Sequence, residues 1–300
     1  LEGEIGDRGR GAENIAARFV AYDPWFRDIG DSTMLPTIIQ SVASADYAIK
    51  KRSGAWSNVA AFTNSVFTIA VGPDGSIYFG GLFTNVGDAN GDVIVKYTPS
   101  TGALTSLGTG GVGGQVNAIV VAANGDVYAI GGFTSMGGVA NTSRIARWDG
   151  SAWNALGTGL NAAGVALAIA PNGDLYAGGL FTLAGGVADT AYIARWNGSA
   201  WNALSTGAGG EVDAIAIATD STVYIGGGFT NLGDANGDYI VKWTGSAWVS
   251  LGTGMNNTVY RLAIDAAGNL YAAGDFTLAG GVTNTVRIAK WNGTSWLPLG

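Results

Sequence analysis

The 300-residue sequence contains no cysteine and no histidine. Their absence excludes disulfides, thiolate nucleophiles, Ser-His-Asp triads and imidazole-ligated zinc sites. Charged residues make up only 12% of the chain. No apolar stretch reaches the roughly 18 residues that a membrane span requires. Paired carboxylates, as in glycosidases, are therefore the hydrolytic apparatus left to this protein.

Glycine and aromatic residues are abundant instead, with 50 Gly, 10 Trp and 11 Tyr. This composition favours many short strands joined by tight turns, so we predict an all-β protein. The formal net charge is −7, and the longest run of Lys and Arg is the three residues Lys50, Lys51 and Arg52. We therefore expect no nucleic-acid partner. The lack of a long apolar stretch likewise predicts no insertion into a membrane. The start of the sequence has neither an initiator Met nor the apolar core of a signal peptide, and we expect Leu1 to be a cut end.

A Phe-Thr pair marks five complete copies of an internal repeat, spaced by about 48 residues. Before the pair, each copy has a tight turn such as PNGD and a Tyr in a VY, LY or IY context. After it come a Gly-rich loop, a strand such as RIARW, a turn such as NGS and a strand such as AWNAL. Each copy is therefore predicted to form four short antiparallel strands. The pairs are Phe83-Thr84, Phe133-Thr134, Phe181-Thr182, Phe229-Thr230 and Phe276-Thr277.

An incomplete copy precedes the five complete ones. YAIKKRSGAW, residues 47–56, aligns without a gap with YIVKWTGSAW, residues 239–248, and matches Trp56 to Trp248. The outer two strands of the unit thus occur six times and the inner two five times. We expect either a five-blade ring with a spare leading hairpin, or a six-blade ring whose remaining inner strands follow Gly300.

Units of roughly 40 to 50 residues with four strands each are typical of β-propeller blades. We predict a β-propeller of four-stranded antiparallel blades over residues 41–300, with five full repeats plus one outer half-blade. The copies also resemble the GGxFTxxGGxxxxxIAxWNGxxWxxLG repeat of large bacterial and phage surface proteins, over about residues 47–300. This resemblance implies a structural or recognition module of an extracellular, cell-surface or virion assembly.

Residues 1–40 do not follow the repeat. FVAYDPWF, residues 19–26, resembles the strand-plus-DP aromatic stretch near the end of the core domain in distal tail proteins of long-tailed phages. The resemblance implies that residues 1–40 end an upstream β module or linker, and that other subunits of a tail or surface assembly are partners. Phe19, Tyr22 and Trp25 would then pack against a neighbouring module or subunit.

Recurring polar side chains are the candidates for ligand binding. In each copy an Asn or Asp stands seven residues before the third-strand aromatic, and a Lys or Arg stands directly before it. Such side chains either tie down their own turns or, repeated around an axis, form several weak sites for cell-surface glycans. The repeated aromatic residues likewise either pack blade against blade or stack on sugars. The selected ligand-binding candidates are Asn141, Asp189, Asn284, Arg147 and Arg195.

Two loops share the sequence GDANGD and alternate oxygen-bearing side chains as calcium loops do. The EF-hand pattern is not met, because no Gly follows the third acidic position and no Glu stands at the twelfth. The alternatives are therefore a calcium site and a plain acidic turn; we expect no other cofactor. The candidate metal ligands are Asp88, Asn90, Asp92, Asp234, Asn236 and Asp238.

The sequence offers one carboxylate pair within a single copy. Asp275 replaces the Leu or Gly that precedes Phe-Thr in the other copies, and Asp265 lies on the neighbouring inner strand. Catalysis needs one blade unlike the rest, whereas adhesion needs equivalent sites in several blades. We predict that the pair reflects drift of the repeat and that the protein is not an enzyme. The alternative is a carbohydrate-active enzyme or a bacterial surface lectin on the same scaffold.

Overall fold

The computed structural model describes residues 47–52 and 55–299, the first two strands by their backbone. The regular elements within these ranges are all β-strands. No helix among the described residues is long and apolar enough to span a membrane. The predicted module of residues 1–40, with Phe19, Tyr22 and Trp25, lies outside the described residues and stays a prediction.

Five four-stranded antiparallel sheets follow one another along the chain, and each is one complete copy of the repeat. We number them blades 1 to 5. Blade 1 contains β3 (Val66–Val71), β4 (Ile77–Gly81), β5 (Ile94–Thr98) and β6 (Ala103–Ser106). Blade 2 contains β8 (Val116–Val121), β9 (Val127–Gly131), β11 (Ile145–Trp148) and β12 (Trp153–Ala155). Blade 3 contains β13 (Gly164–Ile169), β14 (Leu175–Gly179), β15 (Ile193–Trp196) and β16 (Trp201–Asn202).

The last two blades repeat the same order. Blade 4 contains β17 (Val212–Ile217), β18 (Val223–Gly227), β19 (Ile240–Trp243) and β20 (Trp248–Ser250). Blade 5 contains β21 (Val259–Ile264), β22 (Leu270–Gly274), β23 (Ile288–Trp291) and β24 (Trp296–Leu297). A separate two-stranded sheet pairs β7 (Gly111–Val112) with β10 (Ser135–Met136).

The incomplete first copy forms an antiparallel pair, β1 (Tyr47–Arg52) with β2 (Ala55–Ala61), which we call the leading hairpin. In it Lys51 lies opposite Trp56, just as Trp243 lies opposite Trp248 in blade 4. The shared register confirms that the leading hairpin corresponds to the outer half of a blade.

Antiparallel order gives each blade two distinct ends. The turn face carries the tight turns between the first and second strands and between the third and fourth. At the first of these turns Gly125 has a φ of 91°, and in blade 4 Ser221 takes the same place with a φ of 69°. The loop face carries the long loops between the second and third strands and the connections between blades. Functional side chains at one face are thus separated by a strand length from those at the other.

A β-bulge interrupts the first strand of every blade near the loop face. The register against the second strand shifts across one residue, which is left without a partner in the ladder. Such a bulge turns its side chain away from the regular alternation. The bulge residues of blades 1 to 5 are Phe67, Asn117, Val165, Asp213 and Tyr260.

The hydrophobic core lies between successive blades. Ile94 of blade 1 packs in one cluster with Val116 and Phe133 of blade 2, and each later interface repeats this arrangement. The first strands of neighbours are also in contact: β3 with β8, β8 with β13, β13 with β17 and β17 with β21. The first strands are therefore innermost around a common axis. This confirms the predicted β-propeller of four-stranded antiparallel blades.

The tryptophans of the third and fourth strands pack together within each of blades 2 to 5, with ring centroids 5.0–5.5 Å apart. The fourth-strand tryptophans are buried, whereas those of the third strand are half-buried in blades 2 to 4. Each fourth-strand indole also donates its N–H to a leucine carbonyl of the preceding blade. The bonds run from Trp153 to Leu107, Trp201 to Leu156, Trp248 to Leu204 and Trp296 to Leu251.

Candidate functional site

The predicted ligand-binding amides and carboxylate lie on the loop face. Asn141, Asp189 and Asn284 are exposed and have φ values of 63°, 59° and 62°. This left-handed conformation favours Asn and Asp among non-glycine residues, which gives the side chains a role in the loop itself. The next residue is a fully buried Thr, and in blade 2 the Thr142 hydroxyl donates to the carbonyl of Val139 at 2.6 Å.

The two GDANGD loops are held by their own carboxylates. Asp88 accepts hydrogen bonds from the backbone N–H of Asn90 and of Ser106, and Asp92 accepts one from Asn85. Asp234 and Asp238 repeat the pattern in blade 4, where Asp234 binds Asn236 and Ser250, and Asp238 binds Asn231. Among the described residues, no three carboxylates converge in a metal-binding group. The calcium site stays a prediction.

The predicted cations lie at the opposite end of the blades. Arg147 is the third residue of β11 and forms an ion pair of 3.7 Å with Asp126 at the turn face. Arg195 pairs in the same way with Asp174 at 3.6 Å. The structure therefore does not bring the five ligand-binding candidates together. It separates Asn141, Asp189 and Asn284 from Arg147 and Arg195.

A groove of about 520 Å³ lies between blades 1 and 2 at the turn face. Blade 1 lines it with Asp74, Tyr78 and Lys96, and blade 2 with Trp148 and Asp149. The Lys96 ammonium is 3.2 Å from Asp74 Oδ2 and 5.7 Å from the centre of the Tyr78 ring. Aromatic surface, carboxylates and an ammonium group thus meet in one concave site.

Both acids of this groove are held ionised. Burial alone would raise the pKa of Asp74, but hydrogen bonds from the Ser76 backbone and hydroxyl, together with Lys96, outweigh burial and lower that pKa. Hydrogen bonds from the backbone of Ala152, and from the hydroxyl and backbone of Ser151, keep the pKa of Asp149 well below its usual range. The groove therefore presents two carboxylates and a cation at neutral pH.

The acid, tyrosine and cation of the groove recur in the following blades. The cation lies directly opposite the tyrosine on the neighbouring strand, as Lys96 does opposite Tyr78, Arg147 opposite Tyr128 and Arg195 opposite Tyr176. In blades 1 to 3 an Asp of the first turn completes an ion pair. In blade 5 the acid contacts the tyrosine instead: Asp265 accepts a hydrogen bond from the Tyr271 hydroxyl at 3.1 Å. The repeat thus builds one kind of polar site several times.

A different polar group lies on the loop face, where blades 4 and 5 meet. Tyr260, the bulge residue of blade 5, donates its hydroxyl to Asp275 Oδ2 at 2.9 Å. Arg287 binds the other oxygen of Asp275 at 3.3 Å. Across the interface, Asp213 is the bulge residue of blade 4 and lies beside Glu211. We call Glu211, Asp213, Tyr260 and Asp275 the inner-rim cluster.

The inner-rim cluster contains one carboxyl group that titrates near neutrality. Burial, followed by the charge of Glu211 and a hydrogen bond with it, raises the pKa of Asp213 to about 7, against an opposing effect of Arg261. Asp213 is therefore the carboxyl group of the cluster that binds a proton close to neutral pH. Tyr260 also has a raised pKa, because its hydroxyl donates a hydrogen bond to Asp275 and is partly desolvated.

Asp265 and Asp275, which the sequence analysis attributed to drift of the repeat, do not form a carboxylate pair within blade 5. Asp265 follows β21 at the turn face, whereas Asp275 follows β22 at the loop face. Asp275 instead joins Tyr260 of its own blade, with Asp213 and Glu211 across the interface. The signal for these residues was present at two repeated positions. Glu211 stands where the other copies have Ser65, Gln115, Ala163 and Thr258, and Asp213 is the one charged bulge residue.

No family model and no curated protein matches the chain. Two solved structures resemble it in fold. One is a gluconolactonase of Xanthomonas campestris, 14% identical over 78% of this chain and 79% of that one, with a TM-score of 0.47. The other is the extracellular domain of a putative hybrid two-component system of B. thetaiotaomicron, 11% identical over 83% of this chain, with a TM-score of 0.54.

The second match spans 31% of the B. thetaiotaomicron chain. At such low identity the likeness shows a β-propeller-like fold alone. Neither match supports the resemblance of residues 19–26 to distal tail proteins, which stays a prediction.

The prediction that the protein is not an enzyme is withdrawn. The likeness assigns no reaction to this chain. The physical reason for the correction lies in the residues: missing Cys and His rule out thiol and imidazole mechanisms, but carboxyl-based catalysis needs neither. The inner-rim cluster contains carboxyl groups of that kind.

Proposed function

We propose that the protein is a recognition module of an extracellular or virion assembly, and that it binds carbohydrate in the grooves between neighbouring blades. The observation that carries this proposal is the groove between blades 1 and 2, in which Tyr78 and Trp148 accompany Asp74, Lys96 and Asp149. The repeat's resemblance to those of bacterial and phage surface proteins supports the location.

Carbohydrate is the ligand class that this chemistry favours. Sugars present hydroxyl groups around a ring and apolar C–H faces above and below it. Asp74 and Asp149 can accept hydrogen bonds from hydroxyls, the Lys96 ammonium can donate to them, and aromatic side chains offer apolar surface with a polar edge. Both signs of charge are present in the groove, so a neutral or weakly charged glycan fits it better than a polyanion.

Repetition makes weak sites useful. The acid, tyrosine and cation occur in blades 1, 2 and 3 with ion pairs of 3.2, 3.7 and 3.6 Å. Sites on one rigid ring engage a dense surface of glycans together, which raises avidity without any new contact. A cell surface is such a target, so multivalent binding agrees with the proposed adhesive role.

The test compares the two faces of the propeller on a glycan array. A triple variant with Lys96, Arg147 and Arg195 changed to Met keeps the aliphatic stems and removes the charges. We expect it to lose most of the array signal while its melting temperature changes little, because partly exposed ion pairs contribute about 0–1 kcal/mol each.

The matched control changes Asn141, Asp189 and Asn284 to Gly, which tolerates their positive φ. We expect this control to bind as the unmodified protein does. The opposite outcome would move binding to the loop face, and an array without any signal from the unmodified protein would contradict the proposal.

Attachment to the particle or cell is assigned to residues 1–40 in this proposal. What supports it is the sequence FVAYDPWF with its aromatic residues Phe19, Tyr22 and Trp25. A neighbouring subunit of a tail or surface assembly would bind this segment, leaving the propeller free to meet glycans.

A second candidate function is carbohydrate hydrolysis at the inner-rim cluster. What favours it is the position of Asp213 beside Glu211, with burial and that neighbour raising the pKa of Asp213 to about 7. A protonated acid next to a carboxylate is the arrangement from which a general acid acts. Arg261, Tyr260 and Asp275 would then orient a substrate across the blade 4–blade 5 interface.

Hydrolysis of a panel of aryl glycosides and oligosaccharides tests this candidate. Asp213→Asn should lower any turnover at least about 100-fold, the typical contribution of a general acid. The Lys96, Arg147 and Arg195 triple variant, altered at the turn face, should retain it. Turnover that persists in Asp213→Asn would contradict the assignment.

A further inference from the structure

Blade 5 exposes a position that every other blade buries. Ile288 begins the third strand of blade 5 and is 47% exposed. Its counterparts in blades 1 to 4 are completely buried, because the next blade packs over them. These counterparts are Ile94, Ile145, Ile193 and Ile240.

A second position on the same blade is exposed in the same way. Leu299 follows the fourth strand of blade 5 and is 48% exposed. The equivalent leucines of blades 1 to 4 are at most 2% exposed, and each gives its carbonyl to the fourth-strand tryptophan of the following blade. Both positions belong to the surface on which a following blade packs. The buried leucines equivalent to Leu299 are Leu107, Leu156, Leu204 and Leu251.

Blade 1 has the complementary arrangement on the side turned away from blade 2. Its Phe79 and Phe83 are fully buried, with ring centroids 5.3 and 4.9 Å from Phe62. Phe62 directly follows β2 of the leading hairpin. In later blades the equivalent phenylalanine packs against the blade before it. The chain leaving the leading hairpin thus takes the place of a preceding blade.

The exposed side of blade 5 and the side of blade 1 turned away from blade 2 can both pack against one element, the leading hairpin. The leading hairpin has the register of an outer blade half, with Lys51 opposite Trp56 as Trp243 is opposite Trp248. By sequence Trp56 occupies the place of the fourth-strand tryptophans that donate to the preceding blade.

We propose that the leading hairpin, residues 47–61, docks on blade 5 of the same chain as the outer half of a sixth blade, with Trp56 against Leu299. The blade-to-blade interface seen four times in the structure then continues across the seam. The hairpin covers the Leu299 half of the exposed surface. The Ile288 half corresponds to the inner strands of a sixth blade, which the leading hairpin does not supply.

A double-mutant cycle tests the contact in the full chain. Trp56→Ala, Leu299→Ala and the double variant are compared by urea unfolding. Each substitution should increase the unfolding equilibrium constant. If the residues touch, the increase in the double variant should be at least about twofold smaller than the product of the increases in the two single variants. The positive control is the milder cycle of Trp296→Phe with Leu251→Val, at an interface where the indole N–H donates to the Leu251 carbonyl at 2.9 Å.

Tryptophan fluorescence provides a second test that does not require the alanine variants to remain folded. The difference spectrum between the unmodified protein and Trp56→Phe should be that of an indole shielded from water. The proposal is overturned if the increase in the double variant equals the product of the single increases and the difference spectrum is that of a water-exposed indole. Coupling that disappears on dilution, together with a larger particle in sedimentation, overturns it in favour of docking on a second copy.

Discussion

The two tryptophans of each repeat have different structural roles, and the structure distinguishes them residue by residue. The fourth-strand tryptophan is buried and bonded to the preceding blade, whereas the third-strand tryptophan is half-buried in blades 2 to 4. The sequence indicated packing as one reading of the aromatic ladder, because both tryptophans recur in register. It did not distinguish the two, since their difference depends on which one reaches the next blade.

Replacing Trp153 with Phe should destabilise the protein by about 1–3 kcal/mol. The ring remains, but the Leu107 carbonyl, which accepts the indole N–H at 2.7 Å, is left buried without its donor. The matched variant Trp248→Phe should cost less, because its hydrogen bond to Leu204 is longer, at 3.3 Å. Urea unfolding of both variants measures the difference, and equal costs would mean that ring volume alone matters.

At the scale of the element, the blade interfaces pair a small residue with a large one. In three interfaces a glycine of the second strand faces a valine that begins the next blade: Gly80 with Val116, Gly178 with Val212 and Gly226 with Val259. The interface between blades 2 and 3 reverses the sizes. Ile130 stands in the glycine position, and Gly164 stands in the valine position. The interface volume is thereby conserved while its residues differ.

Reversing this pair should reveal strong coupling. A Cβ on Gly164 would collide with the side chain of Ile130, so Gly164→Val alone should cost about 1–3 kcal/mol by overpacking. Ile130→Gly alone should also destabilise the protein, because it leaves a cavity in the interface. The double variant restores the pattern of the other interfaces and should be more stable than Gly164→Val. A double-mutant cycle by urea unfolding checks this, and additive effects would contradict the pairing.

The repeat made the elements predictable and left the special site unpredicted. Five Tyr and Phe-Thr markers located the four strands of each copy because hairpin turns and buried aromatics follow local rules. Asp213 and Glu211 differ from the other copies only when the repeats are compared position by position. Their importance arises from the bulge at Asp213 and from Tyr260 on the next blade, and neither can be read from one copy alone.

At the scale of the whole molecule, the two candidate sites differ in symmetry. The acid, tyrosine and cation of the turn face recur in blades 1 to 3 because those copies share the positions that carry them. The inner-rim cluster occurs where two copies diverge together, with Glu211 and Asp213 on one blade and Tyr260 and Asp275 on the next. Recognition of a repetitive surface benefits from the first arrangement, and acid-base chemistry requires the second.

The cluster also makes the stability of the molecule depend on pH. Burial and Glu211 raise the pKa of Asp213 to about 7, compared with an ordinary value of 3.8. Between these values the folded protein binds more protons at this site than the unfolded chain does. Asp213 therefore contributes stability at acid pH that is lost as the pH rises through about 7. Asp74, Asp88 and Asp220 have lowered pKa values and act in the opposite direction, losing their contribution as the pH falls.

Because these effects oppose one another, the comparison of the unmodified protein with Asp213→Asn isolates the site. The amide has no proton to lose in this range, so the stability of the unmodified protein relative to the variant should fall as the pH rises from about 5 to about 8. Urea unfolding followed by tryptophan fluorescence across that range measures it. Glu211→Gln serves as the control, because removing the neighbouring charge should shift the pH dependence to lower pH. A difference that stays constant, or grows with pH, would mean that Asp213 is already ionised in the folded protein across this range and that its pKa is not raised.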